Sequence, residues 1–177
     1  MENNKILMLL AYRDFRDEEY LVPRSVFEEE GFVVQVASSH KGVAVGVQGN
    51  EAEVDLELPE VKTENYRGVV LVGGAGALKC LDNENVYRIV QEAVQKKLLL
   101  GAICIAPLIL TNAGVLRGKK ATVYSSPMEK KGVKALREGG ALYKPEGVVR
   151  DGLMVTGDGP DSAERFARVA VDILREI

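Results

Sequence analysis

Tryptophan is absent from this chain, histidine occurs once, at His40, and cysteine only twice, at Cys80 and Cys104. Each shortage closes a route. Two cysteines do not build a disulfide framework, and a single histidine leaves no Cys/His set for zinc, so no metal is expected. No apolar run approaches the length of a membrane span, so no membrane association is expected either. Basic residues form no stripe: 23 Lys and Arg stand against 26 Asp and Glu, for a net charge of −3 and a pI of about 5.4. That balance argues against nucleic acid as a partner. No secretory signal pattern precedes the first strand, which points to a cytoplasmic location. Repeats, linkers and low-complexity segments are missing. Nucleotide loops are missing too. Gly73-Gly74-Ala75-Gly76 follows an apolar run, but G-x-G-x-x-G counted from Gly74 needs glycine where Lys79 stands, and no G-x-x-x-x-G-K-[ST] occurs. No cofactor is therefore expected.

What remains is ordinary for one globular domain spanning residues 1–177, with 46% hydrophobic and 28% charged residues. The most informative stretch runs from Lys97 to Pro107. Six of the seven residues from Leu98 to Cys104 are apolar without alternation, which suits a strand buried on both faces of a parallel sheet. Ile105 to Ala113 reads as a helix with Pro107 in its first turn and Gly114 as its C-terminal cap. Cys104 thus falls at a strand-to-helix turn with the geometry of a nucleophile elbow. Free N–H groups and the dipole of the helix start favour a thiolate there. On local sequence, a small core hydrophobe is the other reading of Cys104.

The other segments extend the same pattern. Lys5 to Ala11 is a buried strand, Tyr12 to Asp17 a polar turn, and Glu18 to Glu30 a helix closed by Gly31. Pro23 should kink that helix or delay its regular part. Val33 to Ala37 is a strand. Gly42 to Val47 and Ala52 to Leu58, joined around Gly49-Asn50, form a small hairpin at the sheet's edge. Gly68 to Val72 is a strand and Asn83 to Lys96 an amphipathic helix. Lys120 to Tyr124 reads as a strand and Pro127 to Glu138 as a short helix. Gly147 to Arg150 and Leu153 to Thr156 flank the hairpin turn Asp151-Gly152, and Asp161 or Ser162 caps a last helix. Strands alternate with helices throughout, so the expected class is α/β with a mostly parallel, doubly wound sheet.

Three groups compete for a role beside Cys104. The glycine loop is either a tight turn or a source of bare N–H groups. In the second case, Gly74 and Ile105 would form an oxyanion hole. Glu18 and Glu19 complement a helix dipole, or one of them reaches the crevice with a raised pKa as general acid or base. His40 is a solvated loop residue, and Cys80 a packing residue beside the glycine loop, with a second redox-sensitive thiol as its other reading.

Taken together, these residues resemble the DJ-1/PfpI superfamily, with its flavodoxin-like sheet and class I glutamine-amidotransferase-like elbow. The matching pieces are Asp14-Phe15-Arg16-Asp17-Glu18-Glu19 with Pro23, Val72-Gly73-Gly74, and Gly101 to Pro107. Asn112 to Lys119 looks like the PfpI branch, while Asp151 to Thr156 and Gly159-Pro160 look more like the Parkinson-disease-associated branch. The resemblance covers nearly the whole chain. It implies that Cys104 is the nucleophilic, oxidisable cysteine, Glu19 the carboxyl bonded to it, and Gly74 and Ile105 the oxyanion donors. Glu18 takes the place of Glu19 if the register slips by one. The PfpI branch usually carries histidine after the cysteine, where this chain has Ile105, and the stretch from Thr122 to Pro127 supplies none either.

By resemblance, then, the chain is expected to be a cysteine-dependent enzyme on small reactive carbonyls, glyoxalase- or deglycase-like. A thiol redox sensor or stress-response protein is the alternative. A PfpI-type peptidase is the third reading, and the missing histidine argues against it. A homodimer or larger homo-oligomer is expected by resemblance as well.

Overall fold

Runs of apolar residues without alternation need cover on both faces, and the fold supplies it. The computed structural model describes residues 4–177, and the reading of the first residues as a direct lead into a strand falls partly outside them. The first half contains β1 (Lys5–Leu9), β2 (Arg13–Phe15), α1 (Asp17–Glu29), β3 (Val33–Ser38), β4 (Gly42–Gly46), β5 (Glu51–Val54) and β6 (Leu56–Glu57). The middle contains β7 (Gly68–Leu71), α2 (Ala77–Leu81), α3 (Glu84–Gln95), β8 (Leu99–Ile103) and α4 (Pro107–Asn112). The last part contains β9 (Lys120–Ala121), α5 (Lys131–Glu138), β10 (Leu142–Tyr143), β11 (Val148–Asp151), β12 (Met154–Gly157) and α6 (Ala163–Glu176).

Seven strands form the central sheet in the order β11-β12-β8-β7-β1-β3-β6. All its pairs are parallel except β11 with β12. Along β1 the side chains divide between two core layers. Ile6 and Met8 pack with Phe27 of α1 and Phe166 of α6, whereas Leu7 and Leu9 pack with Ile89 of α3 and Ile109 of α4. Helices on both faces leave these strands no solvent side, and this is why their sequence does not alternate. In β8, a Cβ on Gly101 would stand 2.9 Å from Phe166 Cζ, so glycine here makes room for the α6 ring.

Several expectations need correction. Tyr12 to Asp17 is not simply a turn, because Arg13–Phe15 pairs in parallel with β4. The hairpin of β4 and β5 therefore belongs to a separate three-stranded sheet with β2, and β6 takes the edge of the main sheet instead. The strand expected over Lys120 to Tyr124 shortens to β9, paired with β10. Beyond it, Thr122 N–H donates to Thr156 Oγ1 at 2.9 Å and Tyr124 N–H to Cys104 O at 2.8 Å, which takes those donors away from a ladder. The helix expected from Pro127 starts at Lys131, since Ser126 and Glu129 first close a turn on each other. α2 was not anticipated at all. Pro23 neither delays nor interrupts α1, whose buried face of Tyr20, Pro23, Val26 and Phe27 holds it to the core. Ser162 precedes α6, but its hydroxyl donates to Asp158 Oδ1 at 2.6 Å and does not cap the helix.

Candidate active site

Loops at the carboxyl ends of β1, β7, β8 and β12 converge, as ligand crevices do in open α/β sheets. β8 ends at Ile103, and Cys104 follows with φ +62°, a left-handed conformation that costs a non-glycine residue strain. The surroundings hold it there. Its N–H donates to Gly157 O at 2.9 Å, and its carbonyl accepts from Tyr124 N–H at 2.8 Å. Three residues on, Pro107 opens α4.

Glu19 lies in the first turn of α1 and is fully buried. Its Oε2 accepts a hydrogen bond from Gly73 N–H at 2.9 Å. Its Oε1 is buried with no nitrogen or oxygen partner, and the group coupled to the carboxyl is the Cys104 thiol. Gly73 makes the meeting possible. A Cβ at Gly73 would fall 2.5 Å from Glu19 Oε2, 2.7 Å from Cys104 Cβ and 2.7 Å from Ile103 O. Gly74 has φ +115°, and a Cβ there would strike Arg16 N at 2.4 Å and Asp14 O at 2.6 Å. The glycine loop is therefore wedged against the backbone of the β1–α1 connection.

Electrostatics couple the two groups. Burial pushes the Glu19 carboxyl up from 4.5 to about 7, although the thiol, the Gly73 N–H and Arg16 pull the other way. Burial, and after it the Glu19 charge, push the Cys104 thiol up from 9.0 to about 12. The N–H groups of Ile105 and Gly74 both bond toward the sulfur and oppose that rise. The expected donors are thus in place, but they do not yield the thiolate that the helix start suggested. Desolvation and a neighbouring carboxylate outweigh them, and both members of the pair lie above their ordinary pKa values.

Of the two glutamates, Glu19 meets the cysteine. Glu18 is half-exposed, bound by Arg16 Nε at 2.9 Å and by Gln48 Nε2 at 2.9 Å. Asp17 is buried and accepts from Gln48 N–H at 2.8 Å, Asn50 N–H at 3.0 Å and Asn50 Nδ2 at 2.9 Å. Burial opposes its ionisation, but the Gln48 and Asn50 donors prevail and hold its pKa below the usual carboxylate value. His40 and Cys80 line a different pocket.

The thiol and carboxyl open on a cavity of about 540 Å³. Val47, Leu78, Ile105, Tyr124 and Pro160 give it apolar walls, and Arg16 supplies a cation. Sequence reasoning singled out neither Arg16 nor Tyr124. Arg16 lies only three residues before Glu19 and was legible as a neighbour of the site, whereas Tyr124 reaches it through its hydrogen bond to Cys104 across the fold. Among the described residues no group of three His, Cys, Asp or Glu side chains is placed to hold a metal ion, and no helix is long and apolar enough to cross a membrane.

A family model described as DJ-1/PfpI family matches residues 4–173. A Methanocaldococcus jannaschii protein is 40% identical over 178 residues, covering 100% of this chain and 84% of that one. Deglycase PfpI of Pyrococcus furiosus is 32% identical over 171 residues, covering 97% of this chain and 99% of that one. Among solved structures, the ThiJ/PfpI domain protein from Brachyspira murdochii matches with a TM-score of 0.92 at 29% identity, over 98% of each chain.

Proposed function

The chain belongs to the DJ-1/PfpI family, and from that premise we propose that it is a Cys104-dependent enzyme acting on small reactive carbonyls, glyoxalase- or deglycase-like. One observation carries the reading: a buried carboxyl with a pKa of about 7 faces the thiol in a site that has no histidine. A general base works best when its pKa lies near the working pH. Burial gives Glu19 the value that histidine has by nature.

With methylglyoxal the steps follow. Cys104 Sγ attacks the aldehyde carbon while the thiol proton passes to the Glu19 carboxylate. The carbonyl π pair becomes an oxyanion held by the Gly74 and Ile105 N–H groups. Glu19 returns the proton to that oxygen, which gives a hemithioacetal. The carboxylate then removes the proton on the former aldehyde carbon, giving an enediolate. The hydroxyl proton of that carbon moves to the neighbouring oxygen, and Glu19 delivers the abstracted proton to the neighbouring carbon. The carbonyl of that neighbouring carbon becomes the lactate hydroxyl, while the former aldehyde carbon becomes the thioester carbonyl. The product is a lactoyl thioester. Water hydrolyses it, releasing lactate and the free thiol.

The relative named Deglycase PfpI supports carbonyl chemistry at this site. A redox-sensing role would use the same thiol but needs no acid–base group against it, and Glu19 is such a group. Peptide hydrolysis needs a group that protonates a leaving amine, and Ile105 occupies the position where histidine would do so. Exposed Val47, Leu78 and Tyr124 at the cavity mouth support a homo-oligomer, which light scattering on the purified protein checks. The function itself is tested by methylglyoxal consumption and lactate formation without glutathione, beside Cys104→Ala. Turnover lost in the variant supports the reading; equal turnover in both, or none in either, refutes it.

A further inference from the structure

A second cavity, of about 360 Å³, lies away from the thiol site. From β1 the chain passes to β3 on one side, then crosses back to β7 on the other, so β1 stands at the reversal of strand order. Ligands of open α/β sheets bind outside the carboxyl ends of the strands at such a reversal. The pocket is built from the segments that follow these three strands. Arg13 and Asp14 come after β1, His40 after β3, and Lys79 and Cys80 after β7.

The local structure is specific. Tyr12 serves as a hub: the Arg13 guanidinium lies 5.2 Å from its ring centroid and the His40 ring 5.3 Å from it. Ser39 Oγ lies 2.9 Å from His40 Nδ1. The α2 side closes tightly, since a Cβ on Gly76 would fall 2.0 Å from Arg13 O and Gly76 N–H donates to Asp14 O at 3.0 Å. Asp14 itself is held at φ +63°. Among the described residues neither Arg13 nor Lys79 has a carboxylate within ion-pair distance. Arg13 and Lys79 therefore line the cavity without a bridging carboxylate, beside the carboxyl of Asp14 and the imidazole of His40.

We propose that this pocket binds a small phosphate-bearing anion, at a site distinct from Cys104. Cationic and neutral donors arriving from three separate segments suit the several acceptor oxygens of a tetrahedral dianion better than the two of a planar carboxylate. The volume has room for more than free phosphate, so the ligand is inorganic phosphate or a small phosphomonoester.

His40 is the only histidine, so its imidazole Cε1–H proton NMR signal is a single reporter inside the pocket. The protein is titrated at constant pH and ionic strength with inorganic phosphate, with glycerol 3-phosphate, and with sodium acetate. The proposal expects a saturable shift with a phosphate compound and none with acetate. Tighter binding of glycerol 3-phosphate than of phosphate would mark an organic phosphate as the ligand; the reverse order would mark the free ion. Arg13→Ala and Lys79→Ala should each weaken the apparent affinity roughly tenfold or more. Alkylation of Cys104 by iodoacetamide should keep its rate when the pocket is filled. No saturable shift, an equal response to acetate, or unchanged affinity in the Arg13→Ala/Lys79→Ala double variant overturns the proposal.

Discussion

Replacing Glu19 by glutamine should make the protein more stable above pH 7 while removing most of its activity. The carboxyl is fully buried, and its pKa moves from 4.5 to about 7 on folding. The folded state therefore holds a proton that the unfolded state has lost at intermediate pH, and stability falls as pH rises from 4.5 towards 7. Over that interval the loss is about 3 kcal/mol, an upper bound because the thiol shares the proton. Glutamine is neutral and nearly the same shape. Its carbonyl oxygen can keep the hydrogen bond from Gly73 N–H that Oε2 accepts at 2.9 Å, and its amide can donate towards the sulfur. The variant should match the wild type at pH 4. At pH 8 it should melt higher by up to about 6–12 °C, at roughly 2–4 °C per kcal/mol for a chain of this size. Its methylglyoxal turnover should fall by about 10²- to 10⁴-fold, the usual worth of a positioned acid–base group. Thermal unfolding by circular dichroism at the two pH values, beside lactate release, reads both quantities. A melting difference that is the same at pH 4 and pH 8, or a variant less stable than wild type at pH 8, would refute the claim that Glu19 is an ionisable group under desolvation strain.

Other outcomes follow from the same geometry. The one-proton state of the Cys104–Glu19 pair is populated between about 7 and about 12, so kcat/KM for methylglyoxal should rise with pH through about 7 and then level off, as a pH–rate profile will show. Gly73→Ala places a Cβ 2.5 Å from Glu19 Oε2 and 2.7 Å from Cys104 Cβ; it should cost about 1–3 kcal/mol in urea unfolding and abolish turnover by driving the pair apart. Asp17→Asn should destabilise the protein at pH 7 by about 1.5–3 kcal/mol by weakening charge-assisted bonds to the Gln48–Asn50 loop. Its pKa is lowered by folding, so this contribution is present above the unfolded carboxylate pKa and disappears as pH falls through the folded one, opposite in sign to that of Glu19. Urea melts at pH 7 and pH 3 should show the Asp17→Asn penalty shrinking.

How far the sequence could be read depended on the range of the interaction. Buried parallel strands announce themselves locally, because a strand covered on both faces must be apolar without alternation, as Gly68 to Leu71 and Leu99 to Ile103 are. The helix α3 was legible from its stripe, and the structure adds that Asn83 caps it, its side chain accepting from Asn85 N–H and Val86 N–H. Cys104 before a proline-started helix was legible as a turn residue, while the choice of Glu19 over Glu18 rested on the family resemblance. Strand length failed where partners lay far along the chain. Thr122 and Tyr124 have strand-like side chains, but their N–H groups are claimed by Thr156 Oγ1 and Cys104 O. The placement of β4 and β5 likewise turned on β2, a pairing between residues about 30 apart in the chain that no local pattern encodes.

The sequence alone therefore determined the α/β class and the position of the cysteine at a strand end, because periodicity, caps and turn residues act over a few positions; it left Glu18 and Glu19 open, and only the family resemblance pointed to Glu19 beside Cys104. Only the tertiary structure decided the protonation of that pair and the second pocket around His40. A pKa answers to the water excluded and the charges gathered within a few ångströms, and here those neighbours come from α1, from the loop after β7 and from the end of β8.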